Sequence, residues 1–218
     1  MTQRGRLITF EGGEGAGKST QIARLAGTLR GAGVDLLVTR EPGGTPGAEQ
    51  IRQLLLEGAA DRWLPLTEVM LLLAARYDHV VRQIAPALTA GRWALCDRFV
   101  DSTRVYQGVA GAVDLGLIDY LHGTVLGNLR PDLTVILDVP VAAGLARRGI
   151  ASGQHRYEKM PYDFHERVRE GFLALARAEP ERCVVIDAGR AVDAVANDVR
   201  ALVGSRFGLV LEAPADQT

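Results

Sequence analysis

Lysine is nearly missing from this chain. Of the 25 basic residues among its 218, only Lys18 and Lys159 are lysines. Arginine presents a planar fork of donors, whereas lysine presents a compact ammonium on a flexible stem. A sequence that uses arginine almost everywhere and keeps lysine at 18 marks a site that wants a movable point charge. An excess of one charge sign is missing too: 25 basic residues face 26 acidic ones. That excludes a general polyanion-binding surface, and with it nucleic acid as a main partner. Any anion site must be local. No apolar run approaches the roughly 18 residues of a membrane span, and the one in "MTQRGRLITFEGG" is too short for a signal-peptide core. The expectation is a cytoplasmic chain with no membrane partner. Cysteine is scarce. Cys96 and Cys183 lie in "WALCD" and "RCVVID" and read as small buried hydrophobes, not as a disulfide or metal pair. The histidines (His79, His122, His155, His165) lack metal-ligand spacing and read as structural or surface residues.

Five short apolar runs are present: "RLITF" (6–10), "VDLLVT" (34–39), "RWALCD" (92–97), "LTVILDV" (133–139) and "CVVID" (183–187). They are nearly continuous in apolar character, as strands buried on both faces of a parallel sheet are. Helical stretches separate them: "KSTQIARLAGTLRGAG", "TEVMLLLAARYDHVVRQIAPALTAG" with a kink or break at Pro86, "DLGLIDYLHGTVLG", "YDFHERVREGFLALARAEP" and "AVDAVANDVRALVG". Alternating strands and helices predict an α/β fold with a five-stranded parallel sheet and right-handed crossovers. A single domain should span 1–206. The polar, basic piece at about 147–160 interrupts the rhythm and reads as a lid, and 207–218 as a frayed tail.

Gly12, Gly13, Glu14, Gly15, Ala16, Gly17, Lys18 and Ser19 spell G-x-x-x-x-G-K-[ST] between an apolar strand and a helix. Glycines let backbone N–H groups wrap phosphate oxygens, and the helix N-terminus adds partial positive charge. Lys18 is expected at the β- and γ-phosphates of ATP, the Ser19 hydroxyl on Mg²⁺, and Thr20 at the α-phosphate. The guanine signature N-K-x-D is missing, and 218 residues are few for a motor or transport ATPase. A small kinase remains, holding both substrates itself.

"TREPGGTPGAE" follows the second run and "CDRF" ends the third, so both lie at the carboxyl edge, where α/β sheets bind ligands. Arg76 interrupts an apolar helix, a costly burial unless it meets an anion. Arg40, Arg76 and Arg98 can converge on a second phosphate, which arginine grips bidentately. Asp97 is the natural carboxylate for the metal, with Asp138 in "VILDV" as a rival.

"FEGGEGAGKST", "TREPGGT", "CDRFVDSTRVYQG", "RPDLTVILDV" and "VVIDA" stand in an order and spacing that resemble bacterial thymidylate kinases, over about residues 6–205. The resemblance implies the P-loop kinase fold, a homodimer, and transfer of the γ-phosphoryl group of ATP to thymidine monophosphate (dTMP). It places Arg76 and Arg98 on the monophosphate, Ser102 and Thr103 near the thymine edge with Gln107 close by, and Tyr106 beneath the deoxyribose. Glu41 and Pro42 border the acceptor site, and Glu14 faces the 3′-hydroxyl or its associated magnesium and water. Leu72 stands where relatives stack a phenylalanine on the base. Some relatives carry a catalytic arginine inside the phosphate loop. This chain has Gly15 there, which shifts the expected arginine to the lid: Arg156 in "HRYE", with Arg147 and Arg148 as further candidates. The readings left open are a kinase of another nucleoside monophosphate or of a deoxynucleoside, and a non-catalytic nucleotide-binding regulator.

Overall fold

In the computed structural model the described residues are 4–127, 129–148 and 156–212. Five parallel strands, β1 (Leu7–Glu11), β2 (Leu36–Arg40), β3 (Trp93–Asp97), β4 (Leu133–Asp138) and β5 (Cys183–Asp187), form one sheet in the order β2-β3-β1-β4-β5. The central β1 is buried along its whole length, as its unbroken apolar run demands. The edge strands are not: Val38 on β2 and Val185 on β5 are exposed.

The helices are α1 (Lys18–Gly31), α2 (Pro46–Leu56), α3 (Pro65–His79), α4 (Ala85–Thr89), α5 (Val100–Thr103), α6 (Leu115–Leu126), α7 (Val141–Arg148), α8 (Tyr162–Ala178) and α9 (Val192–Phe207). Ile22, Leu25 and Leu29 of α1 and Val195, Val199 and Val203 of α9 pack on one face of the sheet. Phe164, Val168 and Phe172 of α8, together with Val80, Ile84 and Leu88 from the α3–α4 run, cover the other.

The long helical stretch through Pro86 runs without a break from Pro65 to Thr89, but it opens into a π-helical turn at Val80–Ile84. Proline cannot donate to the preceding turn, and a widened turn accommodates it. A second π-helical turn, Arg104–Val109, extends α5. α2 begins within "TREPGGTPGAE" and continues to Leu56, where the sequence pattern suggested no helix. Thr45 caps it, accepting from the Ala48 N–H at 3.2 Å, and Pro46 occupies its first turn.

The strand register places the phosphate loop. Phe10 pairs with Asp97, so the loop after β1 and the end of β3 leave the sheet side by side. Arg40, at the end of β2, pairs with Asp97 from the other side. Of the segment expected as a lid, α7 carries the start and a 3₁₀ turn, Arg156–Lys159, the end. Residues 149–155 lie outside the described residues, as do 213–218 of the tail, while α9 runs to Phe207.

Candidate active site

The phosphate loop closes around Lys18. Its Nζ donates to the carbonyls of Gly12 (3.1 Å) and Gly13 (3.0 Å), and the side chain is buried. Burial lowers its pKa to about 8, helped by repulsion from Arg98 and partly offset by Asp97, Glu14 and Glu11. Gly12 and Gly13 therefore serve as acceptors for Lys18, while Glu14 through Thr20 line a cavity of about 650 Å³. Gly15 has φ +68°, and a Cβ there would sit 1.9 Å from the carbonyl oxygen of Gly144 on α7. The loop crest and α7 thus touch backbone to backbone.

Ser19 Oγ donates to Asp97 Oδ2 at 2.8 Å, which joins the two expected metal ligands. The rival Asp138 is clasped by Arg169 at 2.7 and 2.9 Å and is spoken for.

Arg98 follows Asp97 in a left-handed conformation, φ +70°, which an arginine adopts only where surroundings over-determine it. Its guanidinium donates to Gly12 O, Ser102 Oγ (both 3.1 Å) and Glu14 Oε1 (3.0 Å), and lies over the Tyr106 ring. Tyr106 Oη also reaches Glu14, at 3.1 Å. Glu14 therefore sits between the loop and the residues expected to hold the acceptor.

Glu11 is a different acid. Fully buried, it accepts from the Phe99 N–H (2.7 Å) and Ser102 Oγ (2.6 Å), anchoring the turn after β3 to the end of β1. Burial first, then Asp101, pushes its pKa up to about 7 against Arg98, Ser102 and the Phe99 amide.

Arg76 is buried as expected and meets an anion within the protein, Glu41 Oε2, at 2.6 Å, while its Nη2 donates to Thr103 at 3.0 Å. Glu41 also takes His79 at 3.1 Å. Arg40 is half exposed and pairs with Glu49. Arg40, Glu41, Pro42, Leu72, Arg76, Arg98, Ser102, Thr103, Tyr106 and Gln107 all line the same cavity as the phosphate loop.

One expected residue is not brought to it. Arg156 is buried, donates to the carbonyls of Leu55 (3.2 Å) and Ala60 (2.8 Å), and lies 2.5 Å from Glu68 Oε1. The guanidinium expected as the lid arginine at the migrating phosphoryl group is held here between Leu55 of α2, Ala60 in the α2–α3 connection and Glu68 of α3. Arg147 does line the cavity and donates to Ala188 O at 2.7 Å and Gly189 O at 3.2 Å, beside Arg190. The side chain of Arg148 lies outside the described residues.

Among the cavity residues that escaped the sequence pattern, Arg52 and Tyr157 carry polar groups. Arg52 of α2 lines the cavity and is held by Pro42 O at 2.8 Å. Its signal was an arginine inside "IRQLLLEG", readable only once that segment is taken as a helix. Tyr157 also lines the cavity, from the 3₁₀ turn.

With this geometry in hand, the comparisons agree with one another. A thymidylate kinase family profile matches residues 10–199. The thymidylate kinase of Caulobacter vibrioides is 56% identical over 209 residues, covering 96% of this chain and 100% of that one. That of Dinoroseobacter shibae is 55% identical over 203 residues, covering 91% and 96%. The crystal structure of thymidylate kinase from Ehrlichia chaffeensis matches with a TM-score of 0.75 at 35% identity, covering 92% of this chain and 99% of that one.

Proposed function

The chain belongs to the thymidylate kinase family, and from that premise we propose how its residues divide the transfer of the γ-phosphoryl group of ATP to dTMP. The products are the thymidine diphosphate and ADP. One observation carries the division of labour: the phosphate loop, Arg40, Arg52, Arg76 and Arg98, and the Leu72–Thr103–Gln107 wall line a single cavity.

The phosphate loop takes ATP. Its N–H groups and Lys18 replace the present Gly12 and Gly13 acceptors with β- and γ-phosphate oxygens. Ser19 and Asp97 offer two hard oxygens in contact, which suits Mg²⁺, an ion that keeps waters and phosphate oxygens and needs only one or two protein ligands. Among the described residues no group of three His, Cys, Asp or Glu side chains gathers as an all-protein cage would. Bound there, the ion would neutralise charge on the migrating group.

The acceptor lies at the other end. Arg98, Arg76, Arg40 and Arg52 receive its phosphate, Tyr106 supports the sugar, Glu14 accepts from the 3′-hydroxyl, and Leu72 covers the base. The acceptor's phosphate has a second pKa of about 6, so its attacking oxygen is ionised at neutral pH and no general base is required. Catalysis is then alignment plus charge neutralisation by Lys18, Arg98 and the metal.

A homodimer is the proposed assembly. Leu66, Met70, Tyr77 and Val81 are exposed along one side of α3 and its π-helical extension, and Leu117 and Tyr120 are exposed on α6, which packs beside it. Exposed apolar side chains in contiguous rows support an association surface.

An ADP-release assay with ATP, Mg²⁺ and a panel of nucleoside monophosphates and nucleosides tests the reading. dTMP should be the preferred acceptor, and chelation of Mg²⁺ should abolish turnover until the ion is restored. Preference for another acceptor, or turnover that survives chelation, would overturn it.

A further inference from the structure

Glu68, Leu72 and Arg76 stand four residues apart on α3 and share one helix face. Arg76 and Leu72 line the cavity; Glu68, one turn behind, is buried and does not. Its carboxylate is nonetheless fully engaged. Oε2 accepts from Gln107 Nε2 and from Tyr157 Oη, each at 2.9 Å. Oε1 meets the buried guanidinium of Arg156. Gln107 Nε2 also donates to Tyr157 Oη at 3.0 Å.

The chemistry of these groups fixes an orientation. An ionised carboxylate only accepts, so the Gln107 amide must turn its nitrogen toward Glu68. That nitrogen has two hydrogens, and Glu68 and Tyr157 take both. Tyr157 has given its own hydrogen to Glu68, which leaves its oxygen free to accept. Burial and the adjacent carboxylate hold its hydroxyl well above the ordinary phenol range, so it stays protonated. Glu68 Oε1 is paired with Arg156, and a carboxylate in an ion pair only accepts. The Gln107 carbonyl oxygen, in a residue that lines the cavity, is the amide atom with no hydrogen bond among the described residues.

We infer that Glu68 is a positioning residue for base recognition: with Tyr157 it locks the Gln107 amide so that a carbonyl oxygen faces the acceptor base and demands an N–H donor there. The inference rests on the proposed placement of the base against Leu72, Thr103 and Gln107. Thymine carries its ring N3 as N–H. Cytosine presents a bare acceptor nitrogen at that place, and two facing acceptors disfavour the complex by roughly ten- to a hundredfold. The buried Arg156 acquires a role here as well, two residues removed from the base.

The test compares kcat and KM for dTMP and dCMP in the wild-type enzyme, Glu68→Gln and Tyr157→Phe. In Glu68→Gln the side chain at 68 can donate as well as accept, so the Gln107 amide is free to turn. The dTMP-to-dCMP ratio of kcat/KM should fall about tenfold or more, mainly through a higher KM for dTMP, with kcat less affected. Tyr157→Phe removes one of the two acceptors and keeps the carboxylate, so the ratio should fall by a smaller factor, about threefold. An equal loss for both acceptors in Glu68→Gln marks general structural damage and overturns the inference. So does an unchanged ratio in Tyr157→Phe, which remains decisive if Glu68→Gln does not fold. A wild-type enzyme that uses dCMP and dTMP alike overturns the base placement itself. A wild-type preference retained in Glu68→Gln overturns the inference alone.

Discussion

Lys18 shows what a single residue does before substrate arrives. Its pKa of about 8 in the free protein reflects, first, the loss of water around a buried ammonium and, second, Arg98 nearby. Triphosphate oxygens favour the charged form, so ATP binding must return the proton whenever the pH exceeds that value. The sign follows: kcat/KM for ATP should hold below pH 8 and decline above it, while kcat at saturating ATP stays flat to higher pH. A pH–rate profile at limiting and saturating ATP checks this; parallel profiles would remove the titration from Lys18. Much at this scale was legible in the sequence. One of only two lysines in an arginine-rich chain and the spacing to Ser19 located the loop, and Asp97 was singled out from its place at a strand end. Arg156 was not legible, because its position matched a lid residue while its partners, Leu55, Ala60 and Glu68, come from elements about a hundred residues away. Glu68 carried no pattern at all: an acid early in an apolar helix looks like a first-turn charge until the fold buries it against Gln107.

At the scale of elements, the contact between the phosphate loop and α7 decides how the site is built. Gly15 and Gly144 leave no room for each other's side chains: a Cβ on the first would lie 1.9 Å from Gly144 O, and one on the second 2.4 Å from Glu14 O. This chain therefore could not carry an arginine at 15 without moving α7, a structural reason for the loop lacking one. Gly15→Ala adds this clash to the strain of a left-handed alanine, about 1–2 kcal/mol by itself, and should lower Tm by roughly 5 °C. Gly17→Ala is the control, since that glycine has a similar φ of +88° but nothing within 4 Å of its Cβ. Calorimetry on the two variants separates clash from strain; equal losses would show that the α7 contact contributes nothing. The five strands were legible because a buried parallel strand is apolar throughout. α2 was not, because Gly43 and Gly44 precede it and draw attention to a loop, although Thr45 and Pro46 are the cap and first turn of a helix. The π-helical turns have no periodic signature, yet the one at Arg104–Val109 carries both Tyr106 and Gln107 toward the cavity.

For the whole molecule, sheet order sets where the site and the exposed face of α3 lie. The order β2-β3-β1-β4-β5 puts β1 at the centre, so ligand-binding loops from β1, β2 and β3 share one edge. Strand count and parallel direction were readable from the apolar runs; the order required tertiary pairing. The same topology sends α3 along the flank, with its inner face (Glu68, Leu72, Arg76) toward the site and Leu66, Met70 and Tyr77 outward. A helix with one face on the acceptor and the other on a second subunit would bring each site close to the interface, and the exposed apolar row is the structural feature that supports it. If α3 and α6 form that interface, a carboxylate at its centre must be desolvated without a partner. Met70→Glu should then weaken the dimer by on the order of a hundredfold. Sedimentation velocity over a range of concentrations should show a dimeric wild type and a largely monomeric variant at micromolar protein. Because Met70 and Leu72 lie on opposite faces, the variant should retain ATP binding. A wild type that sediments as a monomer throughout would overturn the assignment of this face.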